Sequence, residues 1–501
     1  MSKALSNKTK LNNVVDVVAD FGADPTGAVI CSSALQACHD TLTANQTMYF
    51  PPGNYVGKLK VTKSNINILG AGSGSVTLKM PPGVDGNVLE IGNIDVNVKL
   101  FDFTGNVSGI TLDGSRANTP SPALLSGSYD LTGWGFCVSY GVGGKFSDIR
   151  GINCWNGGTG FFLCNNVRGD AYVANSGFNP NLSNPGFDTN GCKYSQFNFI
   201  SNACNIGGRM TDATYGCKID GQVYNATLAG FMTNVQAVAS NYTEASTVNV
   251  NIVGGCSQAA MTVTGDVRGC TFNATINGIT GVGVIESVAG GYTPTGNTYN
   301  FTTQLGSKQS GTFAGTKGTV NAKSISDAQG SAAGTYYAYE VTGSYNIFNV
   351  LVQADATPLI RGLNISGNYN VFNTFERNTL VSNVNDAGTA NRIANPYLGM
   401  FKAPTFTNSF VNALTAPNSQ AGYTLTPDNW VVLDGTISGG VLNSSAFTLP
   451  AGYVPTQTRQ FSVRCNGATQ GVIEVNNTGQ IVPRAGATNW TLDGIRFPVG
   501  M

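Results

Sequence analysis

Two pairs of carboxylates near the middle of this chain, Asp188 with Asp212 and Asp220 with Glu244, have the spacing that acid–base chemistry on a repeating scaffold requires. Asp188 and Asp212 lie 24 residues apart, as do Asp220 and Glu244, and Asp266 follows 22 residues later. Glycoside hydrolysis takes one carboxyl to protonate the leaving oxygen and a second to attack or to activate water. The two stand about 5–5.5 Å apart for retention and about 6.5–9.5 Å apart for inversion. Like charges at such distances raise one pKa, which divides the pair into an acid and a base. The structural use of the same residues is plain too, since Asp188-Thr189-Asn190-Gly191 is a good turn. Glu340, Asp355 and Glu376 are further acids along the chain.

Other chemistries have fewer residues to draw on. The single histidine, His39, excludes Ser-His-Asp and Cys-His catalysis unless it takes part itself, and it excludes clustered His metal sites. Eleven cysteines, eight of them between Cys137 and Cys270, show no paired Cys-x-x-Cys spacing and read as buried free thiols. No metal and no cofactor is expected. Proton abstraction beside a uronate carboxylate needs Arg, Lys or Tyr and no His, so Arg150 and Arg168 keep a lyase open. Trp134 and Trp155, two of only four tryptophans, lie in glycine-rich surroundings that suit a loop and offer flat platforms for sugar faces. Tyr172, Tyr194 and Tyr215 follow within the next repeats, where inward stacking is the competing use.

Only 11% of the 501 residues are charged, with 27 basic and 27 acidic side chains, yet mean hydropathy is −0.01. Gly (64 residues), Asn, Thr and Ser replace the charge. A neutral chain lacks the basic face of a general nucleic-acid binder. With 41% hydrophobic residues it can bury a large core, so disorder is excluded. Uncharged runs such as Gly221 to Thr243 are studded with Asn, Thr and Gly, so no membrane span is expected. Met1 to Lys10 is polar and reads as no secretory signal.

The elements that must position these groups are mostly strands. Ile66 to Leu69, Val248 to Ile252 and Tyr345 to Val350 alternate with period two between Gly and Asn corners. Helical spacing of Leu35, Cys38 and Leu42 predicts one early helix over Ser32 to Thr43, capped by Ser32 or Ser33. Gly343-Ser344-Tyr345-Asn346 recurs as Gly367-Asn368-Tyr369-Asn370, 24 residues on, and Gly191-Cys192-Lys193 recurs 25 residues on as Gly216-Cys217-Lys218. A hydrophobic residue followed by Arg-Gly appears at Arg150, Arg168, Arg268 and Arg361. A repeat of this length built from short strands is a solenoid, and strands stacking in register make a right-handed parallel β-helix. Asn tolerates the left-handed corner conformation and forms side-chain ladders, which explains its abundance. The expected organisation is a short arm (1–16), an entry strand and capping helix (17–48), a parallel β-helix (49–398), a linker (399–421) and a C-terminal β-sandwich (422–501).

Val17-Val18-Ala19-Asp20-Phe21-Gly22-Ala23-Asp24-Pro25-Thr26-Gly27, then the helix, then Tyr49-Phe50-Pro51-Pro52-Gly53-Asn54-Tyr55, resembles the opening of the pectate-lyase-like β-helix superfamily, which recurs in bacteriophage tailspikes. Leu449 to Pro455, Gly479-Gln480-Ile481 and Leu492 to Val499 look like the terminal sandwich of phage tail fibres and spikes. The resemblance implies a homotrimeric spike of the virion tail. It would be hung on another tail or baseplate protein through the short arm and would bind a bacterial surface polysaccharide. It also implies cleavage of that glycan by carboxylates, with Asp188, Asp212 and Glu244 as the catalytic candidates and Trp134, Trp155, Tyr172, Tyr194 and Tyr215 as sugar contacts. A polysaccharide lyase, a non-catalytic adhesin and a structural virion appendage are the alternatives.

Overall fold

The structure is a computed structural model. It describes residues 13–93, 99–120, 132–178, 184–234, 242–304, 309–325, 337–353, 361–378, 382–393, 402–413, 421–426, 429–465, 469–486 and 488–499. Two compact units divide the chain, Met1–Phe301 and Thr302–Met501.

The first unit is a parallel β-helix. One helix, Ser32–Thr41, buries Leu35, Cys38 and His39. Its N-cap is Cys31 and neither serine caps it, because the Ser32 hydroxyl accepts from the Lys58 amide instead. Each coil then contributes a strand to each of two long parallel sheets and a single bridging residue to a third face. The first sheet stacks Val107–Asp113, Lys145–Ile152, Arg168–Ala174, Gln196–Asn202, Lys218–Ala226, Thr247–Gly255 and Thr271–Ile279. The second stacks Leu89–Ile91, Trp134–Ser139, Gly157–Phe162, Pro185–Asn190, Ile206–Thr211, Ala229–Asn234, Ala259–Thr264 and Val282–Ser287. On the third face Val142, Asn165, Lys193, Tyr215, Glu244 and Arg268 follow one another through bridges.

Alternation places Phe136, Phe146, Phe161, Phe187 and Phe197 inside, where neighbouring rings touch at centroid distances of 4.8 to 6.0 Å, and Phe231 inside against Phe199 at 6.3 Å. Each such side chain contributes about 1.5–3 kcal/mol by leaving water. All eleven cysteines are free and buried, as the sequence predicts. Corners are held by residues of positive φ: Asn166, Tyr194, Gly216, Ala245, Gly269 and Gly296 mark the turn from the third face into the first sheet, coil after coil. Only glycine takes this conformation freely, so Tyr194 and Ala245 are held there at a cost of roughly 1–2 kcal/mol each.

The second unit has parallel pairings of its own, among Gln309–Phe313, Tyr337–Val341, Arg361–Ile365 and Ser382–Asp386 on one side. Thr319–Ile325, Ile347–Gln353, Val371–Asn378 and Arg392–Ile393 form the other. Antiparallel strands follow. A seven-stranded and a three-stranded sheet bury a common core that includes Leu433, Ile437, Phe447, Ile473, Trp490 and Phe497. Phe410–Asn412, inside the expected linker, already pairs with Thr436–Gly439, so the antiparallel part begins before residue 422. Among the described residues no helix is long and apolar enough to cross a membrane.

Candidate active site

The second sheet differs from an ordinary solenoid face in that its outward residues are also out of solvent. In Trp134–Ser139, Gly157–Phe162 and Pro185–Asn190 every residue is buried. The outward row reads Glu90, Cys137, Gly160, Asp188, Arg209, Met232, in register. Gly160 leaves room for aromatic rings, since a Cβ there would lie 2.6 Å from Phe162 and 2.9 Å from Trp134.

Asp188 is 1% exposed and takes a two-pronged bond from Arg209, 3.2 Å from Nε and 2.7 Å from Nη2. Burial pushes its carboxyl above the ordinary range; Arg209 opposes this shift and the charge of Asp212 adds to it. The Asp212 carboxylate, also buried, accepts from the Asn190 side chain at 3.2 Å, and its carbonyl accepts from the Gly191 amide at 2.7 Å. The two acids therefore sense each other, but they do not occupy equivalent positions. The coil is 28 residues long from Gly160 to Asp188 and 21 from Asp188 to Arg209. Arg209 consequently stands where a strict 24-residue period would put Asp212, and Asp212 falls level with Gly191 at the corner. An acid held toward its neutral form beside a second carboxylate is the arrangement that general acid–base catalysis uses.

Glu244 does not join this pair. It lies on the third face, in register with Tyr215 on one side and Arg268 on the other. Asp220 is on the first sheet between Asn198 and Asn249, and Asp266 is bonded by Arg268 at 2.6 Å through both prongs. Asp220 is thus on a different face from Glu244, while Asp266 directly precedes the strand Val267–Arg268 that pairs with Thr243–Glu244.

The aromatic candidates fall into three groups. Trp134 is 3% exposed and begins a strand, against the expectation of a loop. Its glycine surroundings are steric, for a Cβ on Gly157 would lie 2.1 Å from the indole ring. Trp134 meets Phe162 edge-on at 5.4 Å and shares a small cleft with Trp155, Met80, Asp85, Thr119 and Pro120. Trp155 is half-buried, and its Nε1 donates to the Thr119 carbonyl at 3.3 Å. Tyr194 and Tyr215 are exposed on the third face, edge to face at 5.4 Å, next to Glu244. Tyr172 lies apart on the first sheet beneath the Arg150 guanidinium, 4.7 Å from its ring centre.

Arg209 and Asn190, which hold the two acids, were not singled out by sequence; a search for a base 21 residues from an acid would have found Arg209. His39 is a structural residue, fully buried, whose Nε2 accepts from the Thr62 amide at 3.2 Å. Among the described residues no three His, Cys, Asp or Glu side chains gather as a metal site would require. Asp355 lies outside the described residues, as does the side chain of Glu376.

Residues 14–126 match the family described as rhamnogalacturonase A/epimerase, pectate lyase-like. The mannuronan C5-epimerase AlgE2 of Azotobacter vinelandii is 35% identical over 113 residues, 20% of this chain and 11% of that protein. Alginate lyase 7 of the same organism is 33% identical over 113 residues, 20% of this chain and 13% of that protein. The chain thus spans little more than a tenth of the length of these curated relatives. Among solved structures, the A-module of A. vinelandii mannuronan C-5 epimerase AlgE6 superposes with a TM-score of 0.47 at 16% identity, covering 76% of this chain and all of that one. The Dettilon tailspike protein gp208 gives 0.48 at 13% identity, covering 96% of this chain and 93% of that one. The family match ends before the first of the candidate carboxylates. Over residues 14–126 the chain is similar to the pectate lyase-like family, and its fold is that of a parallel β-helix.

Proposed function

We propose that this protein is a bacteriophage tailspike, a receptor-binding protein of the virion tail. On this reading it adheres to the host by recognising a bacterial surface polysaccharide and shortens that polysaccharide by endo-acting hydrolysis. The observation that carries the reading is Asp188, a carboxyl pushed toward its neutral form on the outward row of the second sheet, beside the charge of Asp212. Asp188 protonates the glycosidic oxygen and Asp212 acts as base or nucleophile, while Arg209 fixes the orientation of Asp188. Trp155, half-buried beside the buried Trp134, offers apolar surface to one sugar ring, and Tyr194 and Tyr215, with Glu244 between them and Arg268, offer an exposed strip for others. The viral assignment is supported by the antiparallel C-terminal sheets and by the tail-fibre-like run from Leu449 to Val499. A homotrimer attached to a baseplate or tail protein through residues 1–16 completes the proposal; residues 1–12 lie outside the described residues.

The test is incubation of the purified protein with capsule and lipopolysaccharide from a strain panel, reading chain length and new reducing ends. Asp188→Asn and Asp212→Asn should each lose about 10²-fold or more of the cleavage rate while still binding. Wild-type rates in both variants would remove the assignment, and binding without shortening of any glycan would leave an adhesin. A lyase or epimerase is the second reading, favoured by the family match over residues 14–126 and by the cation beside Asp188. An unsaturated sugar at the new end, or inverted uronate stereochemistry without cleavage, would decide for it.

A further inference from the structure

The helix Ser32–Thr41 takes the place of a strand. Leu59–Val61 stands at the end of the second sheet and pairs with Leu89–Ile91, on the side where the Leu59 amide donates to the Val88 carbonyl at 2.9 Å. The amides on its other side, at Lys58, Lys60 and Thr62, would otherwise be bare, and a bare strand edge invites pairing with another chain. Three helix side chains meet them instead. Ser32 Oγ accepts from Lys58 at 3.1 Å, Gln36 Oε1 from Lys60 at 3.4 Å and His39 Nε2 from Thr62 at 3.2 Å. Gln36 Nε2 also donates to the Lys60 carbonyl at 3.1 Å. The spacings match, since four helix residues rise about 6 Å and two strand residues about 6.6 Å.

His39 is the member of this cover that can change its hydrogen-bonding sense. Its ring is fully buried, and only a neutral imidazole with its hydrogen on Nδ1 can accept from the Thr62 amide. Nδ1 then donates to Asp40 Oδ1 at 2.8 Å. Protonation turns Nε2 into a donor facing another donor. Among the described residues, the charged groups around the ring offset this only in part. Asp40 has 61% of its side chain exposed, so water screens its pairing with the ring. On the strand side Lys60 is paired with Glu90 at 2.8 Å, and the Lys63 ammonium donates to the Asp40 and Leu42 carbonyls. Asp16 and Asp20 act on Cys38, the preceding residue. We propose that His39 makes the helix an acid-operated latch: protonation of the ring detaches the last turn of Ser32–Thr41 from Thr62 and uncovers the free edge of the second sheet. The latch is closed at neutral pH and opens as pH falls. Histidine is the side chain whose charge ordinarily changes between about pH 5 and 8, and this chain has one.

Hydrogen exchange of the full chain tests it, read at single amides by fragmentation mass spectrometry between about pH 7.5 and about pH 5 and corrected for the intrinsic effect of pH. Thr62 should lose at least about tenfold of its protection at the acid end and Lys60 less, while Leu59, bonded within the sheet, keeps its own. Hydrogen bonds from His39 and Gln36 hold the Asp40 carboxyl below its ordinary range, so Asp40 stays ionised throughout. His39→Gln supplies an acceptor that does not titrate, and protection at Thr62 should then be equal at both ends. His39→Leu supplies none and should leave Thr62 weakly protected at every pH. Equal protection of the wild-type Thr62 amide at both ends, a comparison that needs no substitution, would overturn the latch. So would a loss in His39→Gln as large as in the wild type. A loss shared equally by Leu59 would mean that the sheet itself comes apart, and would overturn it as well.

Discussion

The two long sheets of the first unit treat their outward faces in opposite ways. On the first sheet one position holds Asp170, Asn198, Asp220, Asn249, Asn273 and Asn300 on successive coils. Amide-to-oxygen bonds join Asn198 to Asp170 at 2.5 Å, Asn249 to Asp220 and Asn273 to Asn249 at 2.6 Å, and Asn300 to Asn273 at 2.7 Å. The bonds join Asp170 with Asn198, and then run rung to rung from Asp220 to Asn300. On the second sheet the outward row never repeats, passing from a thiol through glycine to a carboxylate, a guanidinium and a thioether. Repetition is what a stacked fold uses to hold itself together, and a position that changes with every coil is released from that duty. The difference separates the acids of this chain into those that are mortar and those available for chemistry.

The largest expected break in that contrast is Asp188→Ala, which strands a mostly buried Arg209. It should cost about 3–5 kcal/mol in denaturant titration and abolish cleavage. Asn249→Ala on the ladder should cost only about 0.5–1.5 kcal/mol and spare activity. Equal losses would erase the distinction between the two faces. A finer probe is the pH profile. If Asp188 is the acid, activity falls as pH rises through its elevated pKa; Arg209→Met removes the charge that holds that pKa down, so the alkaline limb should move to higher pH.

Outside the coils, Asp434 and Asp493 form an acid pair that no repeat supports. Burial, a hydrogen bond from one carboxyl to the other and the charge of Asp493 push Asp434 up to about 6. Because the folded value lies above the unfolded one, this stabilisation is complete below about pH 4 and is lost as pH rises through 6. Melting temperatures of the wild type should therefore decline over that window, and Asp493→Asn should flatten the decline. The smallest effect belongs to Asn249→Asp, which sets a second carboxylate against Asp220. A loss of about 0.2–1 kcal/mol at neutral pH, relieved by salt, would fit a ladder that tolerates acids only when an amide separates them.

Much of the scaffold could be read from the residues alone. The 24-residue recurrence of Tyr345 and Tyr369 corresponds to stacked rings 5.0 Å apart, and Ile347 pairs with Val371 on adjacent strands. The helix lies within a few residues of its expected ends, because its apolar spacing and the turn that follows are both local signals. The carboxylates were harder to place. Coil length is not constant, so one period fitted to the chain as a whole misaligns Asp188 and Asp212 by three positions, enough to replace an acid with Arg209 as the neighbour. Trp134 misled for a related reason. Glycine beside tryptophan suggests a loop, whereas Trp134 begins a strand and its ring lies across Gly157 and Gly160 of the neighbouring strand, which have no side chain to obstruct it. Contacts between coils decide such matters, and they have no signature within a single coil.

The amide ladder has one more implication, for how the molecule can change size. Asn249, Asn273 and Asn300 bond to the rungs beside them, and their identical chemistry makes those coils interchangeable along that face. A coil can be gained or lost there without altering the row that carries Asp188. The length of the first unit's coil stack is in this sense a dimension separate from its chemistry, adjustable in steps of about 4.8 Å.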